Sequence, residues 1–162
     1  MINTPFEVAV LKCAGALAIK MGALHLFTVR TRLMTGDIKT SRKAVFKEDS
    51  DMMSKNDFFA SFFKTILGAF GPTLCTIERW TGVAGNAAEN EPFFVGVALA
   101  YANSGIKPPE WATTAVYAFT FFRYVHCLVY LNGDWIPQPF RGLSYSLSLF
   151  AMMALAISAV AA

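Results

Sequence analysis

Long apolar runs, separated by shorter polar segments, dominate this chain. A helix needs about 20 consecutive apolar residues to cross the hydrocarbon core of a bilayer. Three runs reach that length: Phe6 to about Val29, Glu110 to about Leu131, and Arg141 to Ala161. Lys12, Lys20 and His25 interrupt the first run, whereas the last run is the least polar of the three. These runs predict the first, third and fourth transmembrane helices.

A further segment, from Thr73 to Asn103, is only half apolar. Its second half, Pro92 to Ala102, is a clean apolar stretch. Its first half carries the polar groups Glu78, Arg79, Asn86, Glu89, Asn90 and Glu91. A membrane helix tolerates such groups only where protein covers them or where the helix reaches the interface. We interpret this segment as the second span, which completes an all-α, four-transmembrane-helix bundle in a single domain, residues 1–162.

The stretch between the first two spans, Arg30 to Asp57, is the most basic part of the chain. Its Lys and Arg residues are Arg30, Arg32, Lys39, Arg42, Lys43, Lys47 and Lys55. Short loops rich in Lys and Arg stay on the cytosolic side of a membrane. The first loop is therefore predicted to be cytosolic, with both chain ends on the opposite side.

Residues 58–70 (FFASFFKTILGAF) are apolar but too short to cross a bilayer, and Gly71-Pro72 follows them. They predict an extra short helix that lies at the membrane interface or re-enters the membrane. The alternative is that they form the first part of the second span.

Composition and motifs exclude several classes of protein. Of the 162 residues, 55% are hydrophobic and 15% are charged, whereas a soluble domain carries about 25% charged residues. The net charge of +3 is too small to indicate nucleic-acid binding. Cys13, Cys75 and Cys127 are too widely spaced for a zinc motif or a disulfide framework. The sequence contains no hydrolase triad or phosphate-binding loop, and it lacks the repeated halves typical of transporters.

Ionisable residues inside membrane helices are costly, so they are candidates for function. In the third helix, Arg123, His126, Cys127 and Tyr130 are spaced so that they form one stripe. This stripe presents a fixed cation, an imidazole and a phenol. A lone histidine in such a helix is more often a structural core residue, and this alternative stays open for the stripe.

In the second helix, Asn86 and Glu89 are three residues apart and share a face, with Glu78 about three turns earlier on the same side. A carboxylate and an amide that face inward could bind a polar ligand. The alternative is a structural ion pair, for example between Glu89 and Arg123, or an exposed start of the helix.

At the start of the fourth helix, Arg141 and Tyr145 are four residues apart. A guanidinium beside an inward-facing phenol suits a bound anion such as a thiolate or a carboxylate. The alternative is an arginine that extends to the membrane surface.

Together these patterns resemble the MAPEG superfamily (membrane-associated proteins in eicosanoid and glutathione metabolism), and most closely the branch that holds microsomal glutathione transferase 1 and microsomal prostaglandin E synthase 1. The matching residues are Glu78-Arg79, Asn86, Glu89 and Pro92-Phe93 in the second helix, Arg123, His126, Tyr130 and Leu131 in the third, and Pro139, Arg141 and Tyr145 in the fourth. Residues 42–49 are similar to the family's basic-then-acidic first loop. The matches cover most of the chain in the family's order.

The resemblance implies a homotrimer of four-helix subunits, with glutathione bound between neighbouring subunits on the cytosolic side. The implied glutathione-binding residues are Lys39, Asn86, Glu89, His126, Tyr130, Arg141 and Tyr145. Arg141 and Arg123 are the candidates for catalysis, and Arg141 would hold the sulfur. A free thiol has a pKa of about 8.5, and a nearby guanidinium favours its thiolate, which is the nucleophile. A lipophilic substrate would arrive through the membrane lipid.

One departure from the family's pattern leaves two hypotheses open. Gly82, Val83, Ala84 and Gly85 stand where the family has Arg-Ala-His. The first hypothesis is a glutathione-dependent transferase, peroxidase or isomerase that acts on a lipophilic electrophile. The second is a catalytically silent structural or lipid-binding subunit of a larger membrane complex. The resemblance implies the endoplasmic reticulum, with mitochondrial or plastid membranes as alternatives.

Overall fold

The computed structural model describes residues 4–35, 76–132 and 136–161, and these form four helices without any strand. The helices are α1 (Pro5–Thr35), α2 (Ile77–Asn103), α3 (Glu110–Leu131) and α4 (Gln138–Ala161). The predicted all-α bundle is therefore confirmed. Lys39 and the predicted short helix over residues 58–70 lie outside the described residues.

Local chemistry explains where the first helix begins and how far it runs. At its start, the backbone N–H of Thr4 donates to the carboxylate of Glu7, and the N–H of Glu7 donates to the Thr4 hydroxyl, at 3.1 and 3.2 Å. This reciprocal pair is a capping box. The helix continues six residues beyond Val29, the predicted end, because no glycine or proline occurs between Val29 and Gly36.

The other helix ends lie within four residues of their predicted positions. α2 begins at Ile77 rather than Thr73, and α4 begins at Gln138 rather than Arg141. Pro139 fits the first turn of α4, where its missing N–H would have no partner within the helix. Between α2 and α3, Gly105 adopts a φ of +74°, a left-handed conformation that favours glycine.

Successive helices run antiparallel, so the bundle has two distinct ends. At one end α1 and α3 finish and α2 and α4 begin; we call this the loop end. At the other, the turn end, residues 104–109 connect α2 to α3, and the rings of Phe6 and Tyr101 meet edge to face with centroids 5.6 Å apart. The candidate site residues in α3 and α4 lie toward the loop end, while Lys20 lies about midway along α1.

Two apolar clusters fill the bundle, one toward each end. The cluster at the turn end includes Phe6, Phe94, Phe119 and Leu155, and the Phe94 and Phe119 rings stack with centroids 3.7 Å apart. The cluster at the loop end includes Leu24, Trp80, Val83 and Cys127. Between these clusters lies a set of buried charged residues contributed by α1, α2 and α3.

Hydropathy separates the second helix from the others. Within the described parts of the chain, three helical segments are long and apolar enough to cross a membrane: Pro5–Arg32, Glu110–Leu131 and Pro139–Ala161. α2 does not meet that criterion, in agreement with its half-polar sequence. Glu91, one of its polar residues, is only 3% exposed, so the bundle itself covers part of the polar half, as a membrane helix with such groups requires.

Candidate functional site

Three helices bring charged side chains together in the middle of the bundle, and we call this set the polar layer: Lys20, Asn86, Glu91 and Arg123. The ammonium of Lys20 donates to Oε1 of Glu91, and Nε of Arg123 lies 3.4 Å from the same oxygen. Nη2 of Arg123 donates to the side-chain and backbone oxygens of Asn86 at 2.7 and 3.1 Å. Lys20 and Arg123 are 7% and 2% exposed. The layer thus joins α1, α2 and α3 through one carboxylate.

The polar layer contains more positive than negative charge. With all groups ionised, two cations face one carboxylate, and Asn86 adds only a neutral amide. Oε2 of Glu91 and Nη1 of Arg123 are buried and have no hydrogen-bond partner among the described residues. Buried charges are stable only when other groups compensate them. The tyrosine ring below Lys20 adds a weaker attraction, because the ammonium lies 5.1 Å from the centroid of Tyr124.

The described contacts of Arg123 all lie inside the protein, and they involve its Nε, its Nη2 and its backbone oxygen. Its guanidinium contacts Glu91 and Asn86, and its backbone oxygen accepts a hydrogen bond from Lys20 at 3.5 Å. An ion pair involving Arg123 therefore exists, but its carboxylate is Glu91 rather than Glu89. The described contacts of Arg123 are those of a group that holds three helices in register, and its catalytic role stays a prediction.

A second group of side chains lies where α3 ends and α4 begins; we call it the Arg141 cluster: His126, Tyr130, Arg141, Ser144 and Tyr145. The guanidinium carbon of Arg141 lies 5.1 Å from the centroid of the Tyr130 ring, within range of a cation–π interaction. The His126 ring centroid lies 6.0 Å from that of Tyr130 and 5.9 Å from that of Tyr145. The cluster thus places an exposed cation beside two phenols and an imidazole.

Hydrogen bonds fix the orientation of His126. Its Nδ1 lies 3.2 Å from the backbone oxygen of Arg141 and 3.4 Å from the hydroxyl of Ser144. A carbonyl oxygen can only accept, so Nδ1 carries the proton, and the lone pair of the neutral ring is on Nε2. That Nε2 atom is buried and lacks a partner among the described residues. The Nε2 atom of His126 is therefore a hydrogen-bond acceptor without a described partner, in the same cluster as the Arg141 cation.

The approach of Tyr130 to α2 depends on a glycine. A Cβ atom added to Gly82 would lie 2.5 Å from the Tyr130 hydroxyl, closer than real Cβ contacts allow. The same addition at Gly85 would meet nothing within 4 Å. The absence of a side chain at Gly82 thus lets the phenol reach the backbone of α2.

The structure brings some of the predicted site residues together and separates others. His126, Tyr130, Arg141 and Tyr145, which the resemblance assigns to one site, lie in one cluster. Asn86 belongs to the neighbouring polar layer. Glu89 and Glu78 are exposed on α2, and none of their described contacts is with the cluster.

Sequence reasoning did not single out Lys20, Glu91, Ser144 or Gly82 for these contacts. Lys20 carried a signal, because a lysine inside an apolar run requires a partner. Glu91 and Glu89 are both carboxylates in the polar half of the second helix, so the sequence did not distinguish them, and only the packing of α1 against α2 does. Ser144 carried none, since a serine inside an apolar helix is common.

Comparison with known proteins gives one result. The family model described as the MAPEG family matches residues 10–161 of the chain. No curated protein and no solved structure matches the chain.

Proposed function

Since the chain belongs to the MAPEG family, we propose that it is a glutathione-dependent membrane enzyme that transfers, reduces or isomerises a lipophilic electrophile. The family implies a glutathione-related transferase or isomerase type of function in general, in a multi-pass integral membrane protein. Within the family, the branch of microsomal glutathione transferase 1 and microsomal prostaglandin E synthase 1 is our proposal, based on the motifs in α2, α3 and α4.

The exposed cation of the Arg141 cluster is the observation that carries the proposal. Arg141 lies over Tyr130, and no carboxylate of the described residues pairs with it. A guanidinium without a carboxylate partner is suited to an anionic ligand. Two further polar groups lie in the cluster: the Nε2 atom of His126, which has no described partner, and the phenol of Tyr145. A peptide ligand requires hydrogen-bonding groups of this kind.

These residues fit glutathione through its thiol. Bound glutathione would supply a sulfur nucleophile. Arg141 would stabilise the thiolate electrostatically, because a nearby cation favours the charged form of a thiol. Tyr130 and Tyr145 would orient the sulfur with their hydroxyl groups, and His126 would accept a hydrogen bond from the peptide. Asn86 and Lys39 are further candidate ligands from the resemblance.

The proposed assembly is a homotrimer with glutathione between neighbouring subunits, in the endoplasmic reticulum membrane. Glu89 supports a shared site, because its carboxylate is exposed on α2, which we propose crosses the bilayer together with the other three helices. An exposed carboxylate there is costly unless a ligand or another chain covers it. A neighbouring subunit would provide that cover, and Glu89 would then face ligand from the opposite side.

The second candidate function is that of a catalytically silent structural or lipid-binding subunit in a larger membrane complex. One observation favours it. The residues on α2 near the Arg141 cluster are the uncharged Gly82, Ala84 and Gly85, whereas the family has basic residues at these positions. Without those residues, the carboxylates of glutathione have fewer positive partners. Glutathione binding therefore discriminates between the two functions.

The decisive experiment is a titration of the protein in lipid nanodiscs with glutathione at neutral pH. We expect saturable binding and an ultraviolet thiolate band that grows with occupancy. S-methylglutathione is the matched control, because it retains the peptide but has no ionisable sulfur, and it should bind without the band. No binding at millimolar glutathione would exclude the enzymatic function. Native mass spectrometry of the same sample tests the trimer.

A further inference from the structure

Asn86 connects the polar layer to the Arg141 cluster. Nη2 of Arg123 donates to its side-chain oxygen at 2.7 Å and to its backbone oxygen at 3.1 Å. Along α2 it follows Gly82, the residue beside the Tyr130 hydroxyl, by four positions. Four residues rise about 6 Å along a helix, and residues at this spacing share a face. Helical side chains lean toward the N-terminus of their helix, and in α2 that direction leads to the loop end, where the cluster lies.

The chemistry of Arg123 determines how the Asn86 amide is oriented. A guanidinium has only donors, so the amide atom that lies 2.7 Å from Nη2 is the oxygen, Oδ1. The amide is planar, and its amino group, Nδ2, is on the branch that points away from Arg123. On the side away from Arg123, Asn86 therefore presents a hydrogen-bond donor rather than an acceptor.

Arg123 and Asn86 differ in their accessibility to a ligand. Arg123 is 2% exposed, whereas Asn86 is half-buried. Nη1 of Arg123, which makes no described hydrogen bond, is also enclosed by protein. A ligand at the Arg141 cluster can therefore reach the amide but not the guanidinium, and Arg123 can act on that ligand only through Asn86.

Glu91 holds the guanidinium in place. Its Oε1 lies 3.4 Å from Nε of Arg123 and also accepts a hydrogen bond from Lys20. The guanidinium is a planar fork, so an acceptor at Nε together with two acceptors at Nη2 fixes its plane. The position of the Asn86 amide thus depends on Arg123, and the position of Arg123 depends on Glu91.

We infer that Arg123 is a positioning residue: held by Glu91, it fixes the Asn86 amide so that the amino group donates to an acceptor oxygen of the peptide ligand. This inference rests on the proposed function, since it assigns a role within the glutathione site. A donor that is fixed before binding loses little freedom when the ligand arrives. It also gives α2 a polar contact with the ligand at a place where Gly82 and Gly85 offer none.

The variant Asn86→Asp separates the donor from the stability of the fold. Aspartate has a similar shape and still accepts from Arg123, and it balances the charges of the polar layer, so the free energy of unfolding should not fall. It has no N–H to donate, so we expect glutathione affinity to fall roughly tenfold. Calorimetric titration in nanodiscs and unfolding by a denaturing detergent measure the two quantities.

The matched control is Asn103→Asp, the same change at an exposed position near the turn end of α2. It should leave glutathione affinity unchanged. If Asn86→Asp binds glutathione as tightly as the wild type does, Asn86 is not a donor to the ligand and the inference is overturned.

A double-mutant cycle tests whether Arg123 acts through Asn86. Arg123→Lys keeps a charge beside Glu91 but loses the planar fork that holds both oxygens of Asn86. We expect it to lower glutathione affinity about fivefold when Asn86 is present and to have no further effect in an Asn86→Ala background, because residues that act as a unit are not additive.

The same titrations separate this inference from the proposed function. If the wild type binds glutathione and Arg123→Lys causes the same loss with and without Asn86, then Arg123 acts through the fold in general, and the positioning role alone is overturned. If the wild type does not bind at millimolar glutathione, the proposed function is overturned and the inference with it.

Discussion

At the scale of single residues, Gly82 is the position where the sequence is most easily misinterpreted. By comparison with the family it counts as a missing cation. In the structure it has a specific use, because the Tyr130 hydroxyl occupies the space that any side chain would need. Gly82 therefore leaves room for a phenol in addition to carrying no charge.

The variant Gly82→Ala tests this use. An added methyl group forces the Tyr130 ring away from α2, and its cation–π contact with Arg141 should weaken as a result. We expect glutathione affinity to fall roughly tenfold, in keeping with the loss of about 1.4 kcal/mol. Gly85→Ala is the control, because its Cβ meets nothing. Calorimetric titration measures both, and equal affinities would refute the role of Gly82.

Arg141 provides a second test at this scale. Arg141→Ala removes the cation from the cluster, so bound glutathione should no longer show the thiolate band, while the trimer persists. Arg141→Lys retains a charge but loses the planar group that lies over Tyr130, so we expect an intermediate band. Lys107→Ala, at the exposed turn, is the control. Loss of the trimer in Arg141→Ala would instead indicate a structural role.

At the scale of helices, the polar layer determines how α1, α2 and α3 align. Periodicity predicted that Arg123 would face inward, and it does. It did not predict which carboxylate of α2 would meet it, because Glu89 and Glu91 lie on different faces of the same turn. That choice depends on the rotation of α2 against α1, which brings Lys20 to Glu91. Rotation results from packing along the whole length, so no local pattern encodes it.

The charge balance of the layer gives a ranked prediction. Glu91→Gln leaves Lys20 and Arg123 without a counterion, and unfolding should become easier by about 3–5 kcal/mol, as when one partner of a buried pair is lost. Lys20→Met should cost less, because Glu91 and Arg123 still pair. Unfolding by titration with a denaturing detergent measures both values.

The control for these variants is Glu110→Gln, an exposed carboxylate at the start of α3. Its effect on the free energy of unfolding should stay within about 0.5 kcal/mol, as for most surface changes. If Lys20→Met lowers the free energy of unfolding as much as Glu91→Gln does, then the inference that the polar layer contains more positive than negative charge is wrong.

At the scale of the whole molecule, the length of the apolar runs predicted α1, α3 and α4 better than it predicted α2. α1, α3 and α4 follow directly from their runs. α2 was predicted from its apolar second half, Pro92 to Ala102, on the condition that protein covers its polar half or that this half lies at the interface. The buried Glu91 now shows that the bundle covers part of it. Residue spacing indicated the two parts of the Arg141 cluster separately, His126 with Tyr130 in α3 and Arg141 with Tyr145 in α4, and only the resemblance assigned them to one site.

The two ends of the bundle differ in charge, and this predicts an orientation. Near the loop end, the described helices carry Arg30, Arg32, Arg79 and Arg141, whereas the connection at the turn end carries only Lys107. Lys and Arg near the ends of membrane helices remain on the cytosolic side. We therefore expect the loop end, with the Arg141 cluster, to face the cytosol, where glutathione is available.

Cysteine labelling measures that orientation. Asn132→Cys and Ser104→Cys place exposed thiols at the loop end and the turn end, in a Cys75→Ala background; Cys13 and Cys127 are buried. In cells whose plasma membrane alone is permeabilised, an impermeant maleimide should label Asn132→Cys at once. Ser104→Cys should react only after detergent opens the inner membranes. The reverse order would place the cluster on the side away from the cytosol, and glutathione would then have to be supplied from that side.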